Sequence, residues 1–194
     1  MRIIVTGGNS GVGKATAAAL AAAGHSVLIA CRTIPKAERA AAEMSGDIEV
    51  RHVDLADLSS VRAFADSVET VDVLVNNAGV LGLPLTRTAD GFEAHLGTNH
   101  LGHFALTCQL GDKITDRVIS VSSALYVFGR IHLDDLNLAH PQVLDVGGLC
   151  AIQVGQHALH QRVGPARRPR LRVRSGDGGN QHHPRQHRRV ALAG

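Results

Sequence analysis

Apolar residues fall into short β-branched runs separated by longer stretches rich in Ala and Leu. Ile3-Ile4-Val5 is suited to a buried parallel strand. Thr6-Gly7-Gly8-Asn9-Ser10-Gly11-Val12-Gly13 breaks it, and Lys14 to Ala23 then reads as a helix stopped by Gly24. Ser26–Ala30 is a second strand. Pro35 opens a helix to about Met44, and Ser45-Gly46 makes a turn. Ile48–Val53 is a third strand, followed by a helix from Ser59 to Val68 for which Asp57 is the expected N-cap. Val71–Val75 is a fourth strand. A helix is predicted from Thr88 to about Leu110, interrupted near Gly97 and Gly102, and Arg117–Val121 is a fifth strand. Strands alternating with helices at this spacing predict an α/β domain whose parallel sheet carries helices on both faces. No internal repeat is present.

Composition divides the chain in two. The 194 residues carry a formal charge of +3. Residues 1–140 hold 11 Lys+Arg against 15 Asp+Glu, a net −4, whereas 141–194 hold 9 Arg against 2 Asp, a net +7. All four Phe and the single Tyr lie at or before Phe128. The basic balance therefore belongs to the last quarter alone. That quarter mixes Arg, His, Gln, Gly and Pro without an apolar period, a composition that predicts a disordered tail. Such a tail could bind nucleic acid, but it has no aromatic interleaving, and no nucleic-acid partner is expected. Cys31, Cys108 and Cys150 are few, odd in number and widely spaced, which fits a reducing cytoplasm and argues against a disulfide framework or a metal site. No apolar run reaches the ~20 residues of a membrane span, and the strand-like run right behind Met1 and Arg2 predicts no secretory leader.

The chemistry starts at the first glycine loop. A tight strand-to-helix turn lets backbone amides and a helix N-terminus approach a pyrophosphate. Gly7, Gly11 and Gly13 have that context, at a G-x-x-x-G-x-G spacing that an ordinary turn could also show. Three further motifs follow in order. They are Asn76-Asn77-Ala78-Gly79 after the fourth strand, Asn99-His100-Leu101-Gly102-His103-Phe104, and Ser120-Val121-Ser122-Ser123 at the end of the fifth strand. Together they resemble the short-chain dehydrogenase/reductase family over roughly residues 1–139. The run Gly129-Arg130-Ile131-His132-Leu133-Asp134-Asp135-Leu136 resembles its retinol-dehydrogenase-like branch.

The resemblance implies a Rossmann-like doubly wound sheet, here with five strands and a sixth lost, that binds a nicotinamide dinucleotide. It would place Gly7, Asn9, Ser10, Gly11, Val12 and Gly13 around the pyrophosphate, and Asp54 and Leu55 beside the adenine. Asn77, Ala78 and Gly79 would lie along the ribose. Arg32 follows the second strand where a cation would favour a 2′-phosphate, hence NADP(H) over NAD; the alternative is a solvated surface charge. Ser123 would hydrogen-bond a substrate carbonyl, or merely cap a strand end. Asn99 would hold a water in a proton relay, or merely bond backbone within a helix. The implied partner is a small alcohol or carbonyl compound, lipophilic by branch.

The resemblance then fails. Its chemistry requires a Tyr acid with a Lys four residues on, which lowers the phenol's pKa towards working pH. Tyr126 is the only Tyr, it sits three residues after Ser123, and Arg130 stands at its i+4 position. Shifting the reading frame one base across Gln142–Val163, with third codon bases chosen freely, permits a segment containing Y-A-Q-S-K. Three positions are nearly forced: Gln153 before Val154 yields only Lys or Arg, Gln156 before His157 only Asn or Ser, and Cys150 before Ala151 only Val or Ala. The sequence thus predicts an incomplete dinucleotide-binding domain at 1–139 followed by an out-of-frame tail at 140–194. It is catalytically dead as written, and a homo-oligomer only if the frame is restored. A dead binding remnant and a basic-tailed binding protein remain the alternatives.

Overall fold

The computed structural model describes residues 1–122 and 135–137. The predicted disordered tail, Ser123 and Tyr126 lie outside the described residues. Among these residues five parallel strands form one sheet: β1 (Arg2–Thr6), β2 (Ser26–Cys31), β3 (Ile48–His52), β4 (Val71–Asn76) and β5 (Ile114–Ser120), in the order β3-β2-β1-β4-β5. Helices α1 (Gly11–Ala22), α2 (Ile34–Ala42), α3 (Leu58–Asp66) and α4 (Gly102–Leu110) make the crossovers. The doubly wound reading is correct, and the strand order reverses between β1 and β4.

The period of two along the strands sorts the core into two layers. Ile3, Val5, Val27, Ile29, Val73 and Val75 face one side, under Ala17 and Ala21 of α1 and Ala37 of α2. Ile4, Leu28, Ala30 and Leu74 face the other, under Val61, Phe64 and Ala65 of α3 and Leu106 and Leu110 of α4. The first pair of helices packs through alanines, so their backbones approach the sheet closely. The central strands are apolar on both faces because helices cover both. Among the described residues β3 and β5 are the outer strands and are more polar, and on β3 Glu49 and Arg51 pair with each other.

Asp57 is the N-cap of α3, as predicted: its Oδ1 accepts from the amides of Ser59 (2.8 Å) and Ser60 (3.3 Å). The Ser59 hydroxyl and these amides hold its carboxyl below the usual carboxylate range. Asp57→Ala should leave the fold intact while speeding amide hydrogen exchange in the first turn of α3 by about tenfold; unchanged exchange at Ser59 and Ser60 would contradict the cap.

The helix predicted from Thr88 is a correction. Residues 86–92 instead fold back on themselves. The Thr88 amide donates to Phe92 O (2.8 Å), the Phe92 amide to Thr88 Oγ1 (3.2 Å), and Gly91 turns the chain at φ +84°. Helical structure begins only after Glu93, whose buried carboxylate receives the amides of His95 (3.0 Å) and Leu96 (2.8 Å). The predicted interruption at Gly97 and Gly102 is a π-helical turn, Leu96–Leu101, in which the Gly102 amide reaches back to Gly97 O. The helix does not break there. Its glycines are needed for close approach, since a Cβ on Gly97 would lie 2.3 Å from Thr88 Cγ2 and one on Gly102 2.3 Å from Leu55 O.

Candidate active site at the carboxyl ends of β1 and β4

Both strands flanking the order reversal end in polar residues that are buried. Thr6 closes β1 and Asn76 closes β4. The Thr6 hydroxyl receives the amides of Asn77 (2.9 Å) and Ala78 (3.0 Å), and Asn77 Nδ2 donates to Thr6 O (2.8 Å). The turn after β4 is thereby laced to the end of β1.

The glycine loop leans on the same turn. A Cβ on Gly7 would meet Ala78 Cα at 2.9 Å, and Gly7 itself has φ +67°. A Cβ on Gly13 would lie 2.3 Å from Asn77 Nδ2 and 2.6 Å from Gly7 O. Only glycine fits where loop, helix and turn converge. Gly11 has φ +54° and open space around it. Ser10 is the N-cap of α1 and makes no side-chain cap bond, and the first turn of α1 carries no acid. The amide-rich end of a twelve-residue helix thus faces outward beside a glycine cradle, which is what a pyrophosphate needs. Val12 is exposed and Asn9 half-buried in this loop.

The other predicted residues surround the same end of the sheet. Arg32 is exposed directly after β2. Asp54, after β3, accepts from the Ala56 amide (2.9 Å), and its own amide donates to Ser60 Oγ (2.9 Å). Leu55 is buried in the core against Gly102, so its main chain alone can border a ligand. Asn99 lies in the π-helical turn, buried, with Oδ1 accepting from Val80 N (2.7 Å) and Nδ2 donating to Val80 O (2.9 Å). Both of these contacts run to the turn after β4. Gly79 lies within this span, and a Cβ there would come within 3.5 Å of Asn99 Oδ1.

The sequence motifs contain Thr6 and His103 without giving either a role, and they do not include Glu93. His103 stands four residues after Asn99, so a helix puts them on one face. It is fully buried, and burial drives its imidazole down to about 4 even though Asn99 O accepts from it. Burial alone would raise the Glu93 carboxyl, but the amides of His95 and Leu96 and the His95 ring hold it below its ordinary value. Among the described residues no group of His, Cys, Asp and Glu could hold a metal ion, and no helix is long and apolar enough to cross a membrane.

The short chain dehydrogenase model matches residues 1–133. Retinol dehydrogenase 13 of Homo sapiens is 47% identical over 148 residues, covering 70% of this chain and 45% of that protein. Human retinol dehydrogenase 12 is 45% identical over 147 residues, covering 69% and 46%. The chain spans about half the length of the curated relatives it matches. Among solved structures, an uncharacterised protein from Mycobacterium paratuberculosis superposes with a TM-score of 0.79 at 46% identity, covering 83% of this chain and 62% of that one. A short chain dehydrogenase from Burkholderia cenocepacia J2315 in complex with NADP gives 0.65 at 26% identity, covering 83% and 66%. This chain belongs to the short-chain dehydrogenase family, on the branch that holds the retinol dehydrogenases.

Proposed function

We propose that the chain grips NADP(H) in the crevice where β1 and β4 diverge, and that it is the cofactor-binding part of an oxidoreductase for a lipophilic alcohol or its carbonyl. The observation that carries this is the convergence of Gly7 and Gly13 on Asn77 and Ala78, beside the α1 N-terminus that Ser10 leaves without a side-chain cap. Gly7 to Gly13 would hold the pyrophosphate, Asp54 and the Leu55 main chain the adenine side, and Asn77 to Gly79 the ribose. Arg32 would meet a 2′-phosphate, which favours NADP over NAD. The bound dinucleotide would supply hydride. The relatives' names indicate the substrate class, and the Burkholderia complex supports the cofactor.

As written, the chain binds cofactor without turnover. The only Tyr has Arg130 and not Lys four residues on, and Lys14, Lys36 and Lys113 all precede it. Ser123 would polarise a substrate carbonyl, and Asn99 would order a relay water, only once the frame is restored. Sequencing the nucleotides around codons 138–142 tests the frame directly. If no one-base change restores Y-A-Q-S-K, that part fails. The partner is a small molecule and not nucleic acid, and the setting is a reducing cytoplasm in which Cys31 and Cys108 stay thiols. Salt-sensitive retention on nucleic acid would favour the basic-tail alternative instead.

Titration of the full chain with NADPH and NADH, followed by cofactor fluorescence, tests the reading. NADPH should bind more tightly than NADH. Arg32→Ala should weaken NADPH by about tenfold, roughly 1.4 kcal/mol, with little change for NADH. Binding of neither nucleotide would overturn the proposal, and hydride transfer at an ordinary enzymatic rate would overturn the claim of inactivity.

A further inference from the structure

His103 takes no part in the scheme above, yet it sits at the centre of the described polar contacts. Its Nδ1 lies 2.9 Å from the main-chain oxygen of Asn99, and its Nε2 lies 2.9 Å from Thr6 Oγ1. The chemistry of the neighbours decides which nitrogen carries the proton. A carbonyl oxygen only accepts, so Nδ1 donates. The Thr6 hydroxyl has two lone pairs and one proton, and the amides of Asn77 and Ala78 already take both lone pairs. Its proton is all it can offer, so Nε2 accepts it. Val75 O, at 3.3 Å, is the weaker alternative for that proton. The imidazole is therefore neutral and carries its proton on Nδ1.

These bonds form a closed ring. Thr6 holds the start of the Asn77–Val80 segment through two amides. Asn99 holds its end through both atoms of a carboxamide on Val80. His103 joins Thr6 to Asn99. We propose that His103 is a positioning residue that closes a hydrogen-bonded ring around residues 77–80 and so sets the shape of the turn meant to lie along the cofactor's ribose. The cofactor half of this statement rests on the function proposed above; the ring itself does not.

The two bonds of the ring can be separated by substitution. His103→Gln can keep an acceptor near the position of Nε2, His103→Asn can keep a donor near Nδ1, and His103→Phe keeps neither. The test uses the ¹⁵N-labelled full chain. In the unmodified protein the ring nitrogens should show a protonated Nδ1 and an unprotonated Nε2 at neutral pH; the opposite pattern overturns the proposal. In His103→Phe the amide signals of Asn77, Ala78 and Val80 should move together, and NADPH should bind about tenfold more weakly, equivalent to ~1.4 kcal/mol. His103→Gln should restore the Asn77 and Ala78 signals but not Val80, and His103→Asn should do the reverse. Changes confined to the immediate neighbours of position 103 in a folded variant would overturn the ring. If His103→Phe does not fold, the contrasting Asn and Gln patterns decide in its place. If the unmodified chain fails to bind NADPH, the cofactor reading falls, while the ring-nitrogen and amide signals still judge His103.

Discussion

Gly13→Ala is expected to abolish NADPH binding at micromolar protein and to destabilise the fold by about 2–3 kcal/mol. The added methyl would enter a space already bounded by Asn77 Nδ2 at 2.3 Å and Gly7 O at 2.6 Å. Neither neighbour is free to retreat. Gly7 O is backbone in a loop turned by a positive φ, and Asn77 Nδ2 donates to Thr6 O at 2.8 Å. Overpacking of this kind costs ~1–3 kcal/mol, and a broken hydrogen bond adds ~1. The damage falls on the contact between glycine loop and turn that defines the proposed cofactor site, so affinity should fall further than stability does. Gly11→Ala is the useful contrast. It meets nothing within 4 Å but forces a side chain to φ +54°, a strain of ~1–2 kcal/mol without a collision. Thermal melts and NADPH titrations of both variants check this. An affinity of Gly13→Ala within threefold of the original would show that the cradle is not where the nucleotide lies.

Acidification should weaken the fold between pH 6.5 and 4. His103 is held down to about 4 by burial, against an ordinary value of 6.5. The sign follows from linkage. The unfolded chain takes up a proton near pH 6.5 and the folded one does not until about pH 4. The stability from burying a neutral ring is thus complete above 6.5 and is lost as the pH falls through to 4. The loss is on the order of 3 kcal/mol, a large part of a typical margin of ~5–15 kcal/mol. His100, also lowered by burial, acts in the same direction. Glu93 is held below its ordinary value of 4.5, so its contribution is complete above that pH and is lost only below it. Denaturant unfolding at half-unit steps measures the slope, and His103→Gln should remove most of it. A flat profile from pH 6.5 to 4.5 in the unmodified chain would mean the ring is not buried in neutral form.

Much of this was legible along the chain, for a local reason. Runs such as Ile3-Ile4-Val5 and Val71–Val75 announce buried parallel strands on their own, and Asp57 before Leu58 announces a helix start. The glycine loop is legible because a strand leads into it and a helix leads out. What stayed hidden depends on partners distant in sequence. Thr6 and His103 are 97 residues apart, so no window of sequence shows that they meet. Gly97 and Gly102 look like breaks in a helix. They are points where Thr88 and Leu55 press close, which only the packed fold reveals. Thr88 looked like the start of a helix because its turn is closed by Phe92 and Gly91, not by an apolar period. Leu55, assigned to the adenine side by resemblance, spends its side chain on the core.

The place of β1 between β2 and β4 also dictates an order of events in time. β1 and β2 pair residues about two dozen positions apart, whereas β1 meets β4 across 70. Closing the longer loop costs entropy before the ladder repays it, so the two halves of the sheet dock late and slowly. The crevice exists only after that docking. A nucleotide touching both sides therefore recognises the finished sheet and no earlier species. It lengthens the lifetime of the folded chain without hastening its arrival.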